Sequence, residues 1–94
     1  MYIVSYDISN DKIRNKVAKE MQNFGMRVQY SVFECRLSDV QLQKMYGKLI
    51  TLMRNEADGN IRIYKLCGKC ERDIMTIGTK SAALSLEEEK LFII

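Results

Sequence analysis

Histidine is missing from this 94-residue chain, and that absence removes whole classes of chemistry. Ser-His and Cys-His nucleophilic pairs, histidine acid–base nucleases and imidazole-ligated zinc sites all require a side chain that is not there. Any reaction must run on carboxylates, lysine, tyrosine, cysteine or a hard metal ion. Proline is also absent, so no segment reads as a stiff linker or a Pro-broken helix. No apolar run reaches the ~18 residues that a membrane span needs, and no membrane association is expected. The opening residues, Met1 to Asp7, lack the basic region and small-residue cleavage site of a signal peptide, which leaves the cytoplasm as the expected compartment. Three cysteines in such a compartment predict free thiols rather than a disulfide.

What is present suits one small domain with a core of its own, since 47% of the residues are hydrophobic. The net charge of +3 is unevenly spread. Residues 1–54 hold nine Lys/Arg against five Asp/Glu, and residues 55–94 hold six against seven. That asymmetry is compatible with a nucleic-acid face on the first half.

Residues 2–8 are β-branched and aromatic and predict an opening strand. Ser9-Asn10-Asp11 supplies N-cap chemistry, and Ile13, Val17, Met21 and Phe24 recur at near-helical spacing, so a helix is expected from about Asn10 to Phe24. Gly25 then stands where a left-handed C-terminal residue belongs. Met26 to Leu37 reads as extended structure, two short strands reversing near Tyr30-Ser31. Ser38 with Gln41 forms a capping box for a second helix to about Asn55. Asp58-Gly59 marks a turn, and Ile61 to Leu66 alternates as a strand. Asp73 to Ile77 reads as a further short strand. The order β-α-β-β-α-β is the ferredoxin-like plan, an α+β fold with two helices on one face of an antiparallel sheet and an additional C-terminal strand. Residues 1–78 form this domain, and 79–94 form a tail expected to dock on a partner subunit. The opposite sheet face is left bare, which predicts a homodimer.

Asp7 ends the opening strand, although aspartate disfavours strands. It is either a helix-entry residue that caps a turn or a ligand for a hard cation such as Mg²⁺. One carboxylate makes a poor metal site, whereas two brought together across a two-fold axis make a plausible one. Lys12, Lys16 and Lys19 line one side of the first helix, with Arg14 beside them. They are a solvated face or a set of phosphate contacts, which Arg27, Arg36, Arg62 and Arg72 could extend. Cys67-x-x-Cys70 reads as structural, as metal-binding across a dimer, or as redox-active. A redox motif of this spacing belongs at a helix start after a strand, and here a strand-like segment follows instead. The closing Leu91-Phe92-Ile93-Ile94 must pack on its own core, on a second subunit or on another protein.

Three stretches carry a resemblance: Tyr6-Asp7-Ile8-Ser9, Arg14-Asn15-Lys16-Val17-Ala18-Lys19, and the run from Gly25 through Gln29-Tyr30-Ser31-Val32-Phe33-Glu34 to Cys35. Together they closely resemble the small CRISPR-associated endonuclease family, the smaller of the two near-universal CRISPR adaptation proteins. The resemblance implies a ferredoxin-like homodimer with facing sheets and a C-terminal strand exchanged onto the partner. It implies that Asp7 and its symmetry mate bind one divalent ion, taken as Mg²⁺. Family positions tied to activity match Tyr6, Arg14, Arg27 and Phe33. One further basic position carries Lys16, which keeps the charge but loses the bidentate fork. Members are credited with metal-dependent cleavage of single-stranded RNA or duplex DNA, and with bridging dimers of the larger CRISPR integrase subunit during spacer acquisition. The expected activity is therefore a Mg²⁺-dependent endonuclease, with Arg14, Lys16 and Arg27 positioning the nucleic-acid backbone and Lys12 and Lys19 extending that contact. The rival is a non-catalytic scaffold that binds duplex DNA and bridges integrase dimers. A ferredoxin-like RNA-binding module is a third reading, and it calls for stacking aromatics on an open sheet face.

Overall fold

The computed structural model describes residues 1–56 and 58–78. The order is β1 (Tyr2–Asp7), α1 (Asp11–Met21), β2 (Met26–Gln29), β3 (Val32–Cys35), α2 (Asp39–Met53), β4 (Asn60–Lys65) and α3 (Gly68–Arg72). The four strands form one antiparallel sheet in the order β2-β3-β1-β4. The ferredoxin-like β-α-β-β-α-β plan is thus the fold of the described residues.

Strand alternation decides where the core sits. Tyr2, Val4 and Tyr6 of β1 are buried beneath the helices together with Phe33 and Cys35 of β3. Val17 and Met21 of α1 and Met45 and Leu49 of α2 close over them, and Ile8 seals the end. Each helix start is built by its predicted cap. Asn10 Oδ1 accepts the Ile13 N–H at 3.0 Å, and Ser38 and Gln41 exchange both bonds of a capping box at 3.2 and 2.9 Å.

Three local expectations are corrected. Gly25 does not adopt a left-handed conformation; the positive-φ glycines are Gly59 and Gly78. Gly25 is instead required by a close approach, because a Cβ there would lie 2.4 Å from both Cys35 Sγ and the Glu34 carbonyl oxygen. Asp73 to Ile77 forms no strand in the single chain; α3 stands immediately before it, and Met75 and Ile77 are almost fully exposed. The helices also end earlier than expected, at Met21 and Met53. The tail from 79 to 94 lies outside the described residues. Among the described residues no helix is long and apolar enough to cross a membrane.

Candidate active site

Asp7 is the last residue of β1, and its side chain is exposed. Alternation puts it on the sheet face away from the helices, with Ser5 and Ile3. Its neighbour across the ladder is Asn60, the first residue of β4. The turn before β4 presses against it: Gly59 has φ of 107°, and a Cβ there would come within 2.6 Å of the Asp7 carbonyl oxygen. Ladder and turn together hold the backbone that carries the carboxylate. Among the described residues no group of three or more acidic, cysteine or histidine side chains gathers around a common point. The described residues of one protomer therefore gather at most two such side chains at this point, too few donors for a cation cage.

A second cluster forms on the other side of the same strand end. Arg27 Nη2 donates to the Tyr6 hydroxyl at 3.3 Å. Its guanidinium carbon lies 5.3 Å from the Phe33 ring centroid and 5.8 Å from that of Tyr30. Tyr6 and Phe33 stack with centroids 6.3 Å apart and planes at 26°. Arg14 reaches the same group from α1, 6.0 Å from the Tyr30 ring. It also donates to the carbonyls of Ile8 (3.0 Å) and Ser9 (3.5 Å) and pairs with Asp11. The Asp11 carboxylate holds the Arg14 guanidinium above its ordinary pKa, and Tyr30 adds to this.

The predicted residues thus divide. Tyr6, Arg14, Arg27 and Phe33 are brought together on the helix side, while Asp7, one residue from Tyr6, points the other way. Lys12, Lys16 and Lys19 stand exposed on α1, as their spacing predicts. Arg14 leaves that stripe to pin the β1–α1 loop. Arg36 does not extend the patch, because it pairs with Glu71 at the far end of the sheet. Arg62 lies on the open face, donating to the Tyr64 hydroxyl at 3.3 Å. Tyr30 is the residue that sequence reasoning missed. It was legible only as a turn marker, although an aromatic three residues after Arg27 at a hairpin tip is the available signal. A shallow groove lined by Glu20, Phe24, Arg36, Lys44 and Lys48 holds none of the predicted site residues except Arg36.

The model of the CRISPR associated protein Cas2 family matches residues 1–74. The chain belongs to the Cas2 family of CRISPR-associated endonucleases. It is 43% identical over 77 residues to the CRISPR-associated endoribonuclease Cas2 1 of Chloroflexus aurantiacus, covering 82% of this chain and 83% of that one. The crystal structure of Streptococcus pyogenes Cas2 superposes with a TM-score of 0.72 at 30% identity, over 82% of this chain and 98% of that one. A chain of a partial Cas6-RT-Cas1–Cas2 complex gives a TM-score of 0.63 at 30% identity, over 81% and 88% of the two chains. The Cas2-family resemblance read from Tyr6 to Cys35 is therefore borne out, and with it the fold and the endonuclease assignment.

Proposed function

We propose that this Cas2-family chain acts as a homodimer in CRISPR adaptation, cutting nucleic-acid phosphodiesters at a site made by two Asp7 carboxylates and one Mg²⁺. The observation that carries this reading is the position of Asp7: exposed, anchored by β4 and Gly59, and with too few donors beside it among the described residues of one protomer. A second copy facing the open sheet doubles the carboxylate and supplies the missing donors. That face also carries apolar surface in need of cover, with Met26 and Tyr64 about half exposed and Ile3 and Val32 partly so. The outer edge of β4 has no neighbouring strand among the described residues, and the β-prone segment Ile74 to Ile77 is exposed. Both favour a strand exchanged between protomers.

The donor chemistry fits the ion. Carboxylate oxygens from two chains, with the Asn60 amides beside them, are hard ligands that leave positions for water, as Mg²⁺ prefers. When bound, the ion supplies charge stabilisation for the phosphate and a more acidic water. The chain's own residues do the rest. Asp7 anchors the site. Arg27, held by one hydrogen bond to Tyr6, is free to turn its remaining donors to a phosphate. Lys12, Lys16 and Lys19 contact the backbone without reading bases. Arg14 shapes the β1–α1 loop.

RNA is the named substrate of the Chloroflexus relative, and RNA or duplex DNA is the substrate class proposed here. A second reading, a scaffold bridging copies of the larger integrase subunit, is favoured by the likeness to a chain solved in complex with Cas1. In it residues 1–78 form the domain and 79–94 the docking tail, working in the cytoplasm. The deciding experiment is cleavage of labelled single-stranded RNA and duplex DNA with Mg²⁺ by wild type and Asp7→Asn, each checked for dimer mass by light scattering. Loss of cleavage in a still-dimeric variant is expected and identifies the substrate. Equal residual cleavage by both proteins would remove the catalytic reading and leave the scaffold.

A further inference from the structure

Cys67 and Cys70 play no part in the site above. Cys67 follows the end of β4, where Lys65 pairs with Tyr2, whereas Asp7 lies at the opposite end of β1. Both thiols are free and exposed, in contrast to Cys35, which is fully buried in the core. The two are drawn into one turn: Cys67 Sγ accepts the Cys70 N–H at 3.3 Å. Bonds that do not involve sulfur hold the same turn closed. The Glu71 N–H donates to the Cys67 carbonyl at 2.9 Å and the Asp73 N–H to the Cys70 carbonyl at 3.1 Å. Glu71, next to Cys70, is ion-paired with Arg36 just beyond β3, which ties the turn to the sheet. The ends of such a turn have Cα atoms within ~7 Å, close to the span that a disulfide bridges.

We propose that Cys67 and Cys70 form a reversible dithiol–disulfide pair, a redox-modifiable site whose oxidant is a small-molecule disulfide of the glutathione type. A single helical turn, not the expected strand-like segment, follows Cys67 and brings the two cysteines onto one turn. The two thiols are unequal: hydrogen bonds from the Cys70 backbone and thiol lower the Cys67 pKa, and the same sharing raises that of Cys70. Cys67 is accordingly the first to react. Its thiolate attacks one sulfur of the small disulfide, forms a mixed disulfide and expels one thiolate. Cys70 then gives its proton to solvent and attacks the Cys67 sulfur, forming the Cys67–Cys70 bond and releasing the second thiolate. Two protein thiols and one small disulfide become one protein disulfide and two small thiols. Burial pushes the Cys35 thiol up to about 11, so it stays out of the exchange.

The test equilibrates the full chain over a series of reduced-to-oxidised glutathione ratios, quenches in acid, then denatures and alkylates. Peptide masses and a non-reducing gel are read. The expected result is joint loss of both alkylation sites on the Cys67–Cys70 peptide, lighter by two hydrogens, within a monomer-sized band. Cys35 remains alkylatable, and dithiothreitol restores the pair. Cys70→Ser is expected to stop at a glutathione adduct on Cys67, and Cys67→Ser to collect far less adduct. Thiols that stay alkylatable at every ratio would overturn the proposal. So would stable wild-type adducts without the internal bond, or oxidation that runs into interchain bonds.

Discussion

Arg14 and Arg27 share an aromatic neighbour but differ in what they have left for a ligand. Arg14 is engaged by two loop carbonyls and Asp11, whereas Arg27 donates to the Tyr6 hydroxyl at a rather long 3.3 Å. The Tyr30 ring contacts both guanidiniums, which gathers positive charge beside the β1–α1 loop. An exposed cation–π contact contributes roughly 0.5–1 kcal/mol, so two contacts on one ring help hold both guanidiniums in place for the proposed phosphate contact. Tyr30→Ala should weaken nucleic-acid binding about fivefold, read by fluorescence anisotropy, while Tyr30→Phe keeps the ring and binds as wild type. Equal weakening by both variants would move the effect to the hydroxyl. Unchanged binding by Tyr30→Ala would remove Tyr30 from the interface.

At the scale of elements, the short connections position the site as much as the strands do. The Ser31 carbonyl at the hairpin turn accepts the Tyr6 N–H at 3.0 Å, which ties Tyr30 to the strand that ends in Asp7. Gly25 lets the chain leaving α1 pass against β3, with no room for a methyl group beside the Glu34 backbone. Gly25→Ala should therefore destabilise the fold by about 1–3 kcal/mol, seen as a lower denaturation midpoint at unchanged slope. An unchanged midpoint would mean that β3 yields at no cost. Four strands and two helices were legible because their apolar residues keep period 2 or 3.6 and their caps are ordinary side chains. α3 was not, since Gly68 to Arg72 carries no apolar stripe and its cap is a cysteine sulfur. Asp73 to Ile77 has strand composition but no partner strand within the described chain, so composition alone misled there. Asp7 was legible as an acid out of place in a strand. The grouping of Arg14, Arg27 and Tyr30 was not, because it depends on a helix and a hairpin meeting at one strand end.

For the whole molecule, the open sheet face and the few donors beside Asp7 make the same demand. Apolar side chains on that face call for a covering surface, and the carboxylate calls for a second donor set; the proposed second copy of the chain would meet both. The central claim is that the active unit contains two Asp7 side chains, and mixing protomers tests it most directly. Wild type and Asp7→Asn are combined in equal amounts, denatured, refolded together to randomise the dimers, and assayed for Mg²⁺-dependent cleavage. A site built from both carboxylates predicts that about a quarter of the wild-type activity remains, since only wild-type pairs are competent. Retention of about half would mean that each protomer cuts on its own, and would contradict the shared site.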